Sequence, residues 1–445
     1  MRLPPLLFMA VLASCSSAQT WPLAPPPPST SQSAPAIPNV EQDGDVTVAM
    51  VHGVRLLVRR LPGAEFVSAS LFVEGGANNW TEANAGVESM ALYAVADGGP
   101  ASLGRAAYHQ QLTGLFARIS AVTSVDFSEL RAKAPLAAWP QTFQLMLDAF
   151  RAPALPTASL EFFRSMRRQE IENEALDPEA HLRFLARRHL FQKHPFSRTA
   201  GGTLETLSRL DGDALRIHLD RVRAANRLLL VVAGDLDPQT IIDKAAAFVD
   251  LPPSRTPREA RFAEIEFSAE NLELVHRPLP ISYLVAAFPA PRLGQSAHPA
   301  ATIAMRVLHT RLYDEIRSKR GLSYAPVALI ADDSFLPIGF FSASTKDVNA
   351  VLEVVRQGID RLQSDPVPSS ELERTKAIFV TAWLRDLQRT DDIVAFLGRA
   401  QLYAGDWRMS RRQIHALRAV TTEQVQAFAR AHLKSLQITV LGAEL

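Results

Sequence analysis

Three observations predict an α+β fold built from two similar halves. Apolar runs of strand length alternate with amphipathic stretches of helical spacing from residue 44 onward. One pattern occurs twice. Residues 215–236 read as a helix followed by Leu228-Leu-Leu-Val-Val-Ala-Gly-Asp-Leu236. The chain's last residues read as the helix Val425-Gln-Ala-Phe-Ala-Arg-Ala-His432 followed by Ile438-Thr-Val-Leu-Gly-Ala-Glu-Leu445. The Pro-rich segment Leu251-Pro-Pro-Ser-Arg-Thr-Pro257 lies between the two copies. The halves therefore span 44–250 and 262–445, with 251–261 as the joint. With 445 residues there is room for both. At 47% hydrophobic and 21% charged the chain is globular, and a net charge of +1 gives no field for nucleic acid. A single Cys excludes an intrachain disulfide framework.

In chain order, residues 1–15 form a targeting segment. Met1-Arg2 gives a positive start, residues 6–12 are apolar, and the run is too short to span a bilayer. It ends in Leu12-Ala-Ser-Cys15, which resembles the bacterial lipobox and holds the only Cys. That resemblance implies lipidation of Cys15 and a periplasmic protein anchored in a membrane by its acyl chains. Cleavage near Ser16-Ser17-Ala18 would instead give a secreted or soluble periplasmic protein. Residues 16–43, rich in Pro and Ser, read as an extended linker. Strands follow at 46–50 and 54–58 around the hairpin signal His52-Gly53, then at 66–73. A helix over 86–96 stops at Asp97-Gly98-Gly99-Pro100. A strand is expected at 115–122, and helices at 136–150 and 159–175. The loop His194-Pro-Phe-Ser-Arg198 and the segment Gly201-Gly-Thr-Leu-Glu-Thr206 complete the approach to the first copy of the repeat.

The second half carries the most distinctive stretch, Arg311-Leu-Tyr-Asp-Glu-Ile-Arg-Ser-Lys-Arg-Gly-Leu-Ser-Tyr-Ala325. Leu308, Leu312 and Ile316 set a helical period that closes at Gly321, and residues 325–330 read as a strand. Arg317 thus ends a helix and Tyr324 begins a strand across one turn. A guanidinium and a phenol so placed can donate to a single oxygen. On spacing alone, a solvated Arg beside a packing Tyr is the better reading.

This stretch resembles the C-terminal half of the insulinase/pitrilysin metallopeptidases, or inverzincins, and their relatives in the mitochondrial processing peptidase. There an Arg and a Tyr seven positions apart line the substrate cleft. The His194–Arg198 loop is similar to the family's His-Pro-Tyr-Gly-Arg. The resemblance implies two homologous α/β sandwich domains forming half of a clam-shell peptidase. It also implies a substrate-binding role for Arg317 and Tyr324. The family's Gly-Gly-x-Phe-Ser-Ser run is missing before Leu308-His-Thr-Arg311.

Peptide-cutting members carry His-x-x-Glu-His on the first-half helix, with two imidazoles for zinc and a carboxylate as general base. Here that helix reads Gly86-Val-Glu-Ser-Met-Ala-Leu-Tyr93. Ser89 and Tyr93 occupy the His positions and Leu92 the Glu position. Glu170, eight residues before Pro178, stands where the third ligand would be. No two of the eleven His lie three or four positions apart. Glu170, Glu172 and Glu174 read as solvated helix charges, and Glu74, Glu82 and Glu88 as exposed ones. Gly321-Leu-Ser323-Tyr-Ala325 reverses the strand-turn-helix order of a nucleophile elbow. The chain is therefore expected to hold no metal and no catalytic residue of its own. The resemblance then implies a non-catalytic, substrate-binding subunit of a heterodimeric zinc metallopeptidase, acting on peptides or unfolded proteins outside the cytoplasm. Zinc would sit in a homologous partner subunit. The alternative is a pseudo-peptidase that serves as a binding or assembly module, as core subunits of the respiratory bc1 complex do.

Overall fold

The computed structural model describes residues 40–246, 262–331 and 334–444. Cys15, the leader, most of the linker and the joint lie outside the described residues. The first strand, β1 (Glu41–Asp43), falls inside the stretch read as linker. Its carboxylates explain the difference. Asp43 takes hydrogen bonds from Arg408 at 2.6 Å and Arg411 at 3.1 Å, which fasten it to the far end of the chain. β2 (Val46–Val51) and β3 (Val54–Arg60) form the expected hairpin. Its turn puts His52 at φ 48° and Gly53 at φ 85°, the double positive φ that matches strand twist in a two-residue turn.

The rest of the first half is β4 (Phe66–Glu74), α1 (Val87–Gly98), α2 (Arg105–Gly114), β5 (Arg118–Thr123), β6 (Phe127–Pro135), α3 (Trp139–Arg151), α4 (Thr157–Leu176), α5 (Pro178–Phe191), α6 (Leu204–Arg209), α7 (Gly212–Val222), β7 (Leu228–Gly234) and α8 (Pro238–Ala245). β5 starts three residues after the expected Leu115. Residues 115–117 instead turn out of α2, with Phe116 at φ 50°. The second half contains β8 (Asn271–His276), β9 (Ser282–Pro289), α9 (His298–Tyr313), β10 (Val327–Ala331), β11 (Ile338–Thr345), α10 (Val348–Ser364), α11 (Ser369–Asp386), α12 (Thr390–Ala404), α13 (Met409–Arg418), α14 (Thr422–His432) and β12 (Gln437–Gly442).

Two sheets result. The first runs β1-β2-β3-β7-β4-β6-β5 and the second β10-β11-β9-β12-β8. Read from its other edge, the second repeats the order β3-β7-β4-β6-β5 of the first, with β8, β12, β9, β11 and β10 as counterparts. Each sheet has one parallel pair, β3–β7 and β8–β12, in equivalent places. The repeated apolar strands are β7 and β12. Each lies inside its sheet, and all of its residues are buried. A strand covered on both faces has no polar side to show in its sequence.

The cover comes from both halves. α1, α3 and α7 pack on one face of the first sheet, and α9, α10 and α14 on one face of the second. The opposite faces exchange helices. α5 of the first half lies on β9 and β12, and α12 of the second half lies on β4 and β7. His189 of α5 shares a 2.9 Å hydrogen bond with Thr439 of β12, and its other ring nitrogen meets Asn271 of β8 at 2.8 Å. At the start of α12, Thr390 hydrogen-bonds Ser68 of β4 at 2.8 Å. Gly398 lets α12 press against the sheet: a Cβ there would lie 2.2 Å from the ring of buried Phe72.

Gly398→Val should therefore wedge α12 off β4 and destabilise both halves together, by about 2–3 kcal/mol. Urea unfolding followed by tryptophan fluorescence should stay a single transition with a lowered midpoint. Two separated transitions would show that the halves fold independently.

Candidate functional site

The helix positions that would carry zinc ligands face α4 and the loop after His194. Gly86 precedes α1 in the left-handed conformation, φ 91°. The loop's Gly202, at φ 77°, lies so close that a Cβ on Gly86 would meet its Cα at 2.8 Å. This close approach brings the 200–201 backbone onto α1. Ser89 Oγ donates to the Ala200 carbonyl at 2.7 Å. Arg167 of α4 donates to the Gly201 carbonyl at 3.2 Å and pairs with Glu170. Ser89 thus contacts the loop directly, and Glu170 is linked to it only through Arg167. Leu92 is fully buried. Tyr93 lies parallel to Phe162, with centroids 6.2 Å apart, and tilted against Phe163 at 5.4 Å. Burial pushes its phenol pKa up, so it stays neutral.

A cation already lies beside the would-be third ligand, and aromatic packing fills a would-be imidazole position. This donor set does not fit zinc. Among the described residues, no three His, Cys, Asp or Glu side chains group closely enough to hold a metal ion.

The Arg317–Tyr324 stretch differs in detail from its sequence reading. α9 ends at Tyr313, and Asp314–Lys319 continue as a π-helical turn. Leu322 N–H closes the turn on the Ile316 carbonyl at 2.8 Å, and Gly321 takes φ 63°. Tyr324 does not begin the strand. β10 starts at Val327, paired with Ser342, because Pro326 has no N–H to give the ladder. Tyr324 therefore stands in the loop, 78% exposed. The Arg317 guanidinium lies over its ring, 4.2 Å from the centroid, and 5.0 Å from that of Tyr313. The two side chains do converge, but on each other. The neighbouring cation Lys319 is neutralised by Asp314 at 3.0 Å and Glu315 at 2.7 Å. Among the described residues, Arg317 has ring contacts and no carboxylate partner. A guanidinium laid over rings keeps its in-plane N–H donors for an incoming oxygen.

Glu88 is a correction. Read from sequence as an exposed charge, it is 0% exposed. Its carboxylate accepts from Asn79 Nδ2 at 2.9 Å and Ser128 Oγ at 2.5 Å, and it meets His218 Nε2 at 3.0 Å. His218 Nδ1 faces Arg221 at 3.0 Å, and Arg227 donates to Asn79 Oδ1 at 2.8 Å. The signal was present in the helical period: Glu88, Leu92 and Val95 lie on one face of α1, and the other two are fully buried. Ser128, Glu88 and His218 resemble a hydrolytic constellation in composition. None of the three is more than 2% exposed, so no substrate reaches them. They clamp α1, α7, β6 and the turn at Asn79. The His194 loop is also structural. Arg198 donates to the Ala77 and Trp80 carbonyls at 2.8 and 2.9 Å, and His194 packs among Phe191, Phe196 and Phe262.

Fold and site together define a two-sheet α+β chain in which the α1 positions compared with a zinc motif serve packing. Residues 209–379 match the family described as the Peptidase M16 inactive domain. The zinc protease YmxG of Bacillus subtilis, itself described as uncharacterized, is 20% identical over 85% of this chain and 93% of its own. Among solved structures, a peptidase M16 inactive domain from Pseudomonas fluorescens superposes with a TM-score of 0.81 at 17% identity, covering 90% of this chain and 99% of that one. The periplasmic protease PqqL from Escherichia coli superposes at 0.80 with 11% identity, over 93% of this chain but 48% of its own. These matches support the resemblance to the insulinase/pitrilysin peptidases, by family model over residues 209–379 and by fold over most of the chain.

Replacing Glu88 by Ala would strand His218, Arg221 and Asn79 in the interior. Its expected cost is about 3–5 kcal/mol in urea unfolding. Glu88→Gln, which keeps the shape and part of the hydrogen bonding, should cost less.

Proposed function

We propose that this chain is the non-catalytic, substrate-binding subunit of a heterodimeric zinc peptidase that acts on peptides or unfolded proteins outside the cytoplasm. The observation that carries the reading is the exposed Arg317–Tyr324 pair on a chain whose own α1 carries Ser89, Leu92 and Tyr93. Zinc and its activated water would belong to a homologous partner. PqqL supports a paired arrangement, because this chain corresponds to about half of it. The description of PqqL as periplasmic, with the lipobox-like Leu12–Cys15, supports an extracytoplasmic site and a lipid anchor on Cys15.

In this reading the residues of this chain bind and polarise. An extended peptide enters beside the loop at Tyr324. Arg317 and the Tyr324 hydroxyl donate hydrogen bonds to the carbonyl of the bond to be cut. Those bonds strengthen as negative charge grows on that oxygen. Closure of the two subunits removes water from around the donors and increases their effect. Tyr313 beneath Arg317 restrains the guanidinium, which lowers the ordering cost when substrate arrives.

Peptide cleavage by the reconstituted pair tests this. Arg317→Ala should lower turnover by about 10²–10³ while leaving melting temperature and subunit association unchanged. Tyr324→Phe, which keeps the ring under Arg317, should give a smaller, purely kinetic loss. Full activity of a folded Arg317→Ala pair would leave the pseudo-peptidase binding module as the reading. The anchor has its own test. Cys15→Ala should move the protein from the membrane fraction to the soluble periplasmic one, and membrane retention at wild-type level would refute lipidation.

A further inference from the structure

The two halves repeat one architecture, so each provides a control for the other. Where an exchanged helix lies across a sheet, it covers the central strands and leaves the last two bare on that face. In the first sheet the bare strip is on β5 and β6, and it is dressed for water. Arg118 and Ser120 lie on β5, and Arg131 and Lys133 on β6. Arg131 pairs with Glu129 and Lys133 with Asp391, both near 3 Å. Burial alone would raise the Asp391 pKa, but hydrogen bonds from Arg389 and Lys133 hold it at about 2. Charged side chains are the ordinary way to keep such an edge solvated.

The equivalent strip of the second sheet is mainly apolar, with Ser342 and Ser344 continuing the same face of β11. On β10 and β11 the residues facing α5 include Val327, Ile338 and Phe340, none of them fully buried. With Leu182, Ala186 and Leu190 of α5 they wall a groove of about 520 Å³. Ala325, which follows Tyr324, lines it as well. Beyond it, the outer edge of β10 has no partner strand among the described residues. Arg187 of α5 also lines the groove. One of its nitrogens donates to the Arg198 carbonyl at 2.9 Å, and its buried Nε–H has no hydrogen-bond partner among the described residues. Such a group is costly unless something supplies an acceptor.

We infer that this groove binds bulky apolar side chains of the substrate peptide as it passes from Tyr324 along the open edge of β10. The inference rests on the substrate-binding reading and adds a preference to it. Size favours this occupant. The volume lies in the range of pockets that take small ligands or side chains, well short of a stable protein–protein face. The open edge of β10 offers main-chain hydrogen bonds to an extended chain, with alternate side chains dropping into the groove.

The test uses the full chain and two fluorescein-labelled decapeptides, identical except for a central Leu-Phe or Ser-Asn pair, titrated by anisotropy. The Leu-Phe peptide should bind about tenfold tighter or more, the effect of burying one large apolar side chain. Val327→Glu, at the strand wall, and Ala186→Trp, which fills the groove from the helix, should each remove that preference. Ile217→Glu, on an exposed apolar residue elsewhere, should keep it. Thermal melts identify a variant that has merely unfolded, and the other wall variant then decides. Equal affinities for the two peptides, or a preference that survives both wall variants, would overturn the inference. So would a dimer of the wild type that Ala186→Trp dissolves, because a second copy would then fill the groove. Arg317→Ala separates this from the parent reading. It should keep the binding preference and lose turnover in the reconstituted pair. Retained turnover with an intact preference would count against the subunit reading and leave the groove in place.

Discussion

The structure depends on the exchange of two helices. α5 is the outer cover of the second sheet, and α12 is the outer cover of the first. Without them, the buried strands β7 and β12 would each show an apolar face to water, and neither half could supply the missing layer itself. The exchange also explains the small and polar residues at the contacts. Gly398 gives Phe72 room, Ser68 meets Thr390, and His189 is held between Thr439 and Asn271. The salt bridges from Arg408 and Arg411 to β1 add a further tie between the ends of the chain. Ion pairs exposed to this degree contribute little to stability, but they hold β1 against α13.

That tie determines how the exposed Arg317–Tyr324 pair can work. The loop carrying it is anchored by Ile316 in the core of the second sheet, and that sheet is bound through α5 to the half carrying the degenerate helix. On the proposed substrate-binding reading such rigidity is an advantage, because donors already in place need no reorganisation when charge develops. The α1 face bearing Ser89 and Tyr93 is fixed by packing as well. Tyr93 stacked on Phe162, and Ser89 hydrogen-bonded to Ala200, hold α1 against α4 and the loop.

Much of this was legible from the sequence because the signals were local. Strong β-branched runs, the His52-Gly53 turn and the twice-used helix-strand pattern report periods and turn chemistry within a few residues. The features that were not legible are set by distant partners. Asp43 looks like linker until Arg408 and Arg411 reach it. Glu88 looks like a helix-start charge until His218, 130 residues away, closes on it. The exchange of α5 and α12 leaves no local mark, since an amphipathic helix does not declare which sheet it will cover. At the site, the sequence placed Arg317 and Tyr324 on one turn. Pro326 and the π-helical turn then decided that Tyr324 would stand in the loop under the guanidinium.

The repeated topology finally shows which differences between the halves are matters of function and which of folding. Both sheets need a fully buried interior strand, and both have it in β7 and β12. Both need helices on two faces, and both have them. The bare strips beside the exchanged helices are under no such requirement. One is lined by Arg131, Glu129 and Lys133, the other by Val327, Ile338 and Phe340. A folding constraint would have treated the two alike, since a solvated strip costs the fold nothing in the first half. An apolar strip carries an aggregation hazard unless something covers it. Its position beside the Tyr324 loop fits the proposed binding of a peptide at Arg317 and Tyr324.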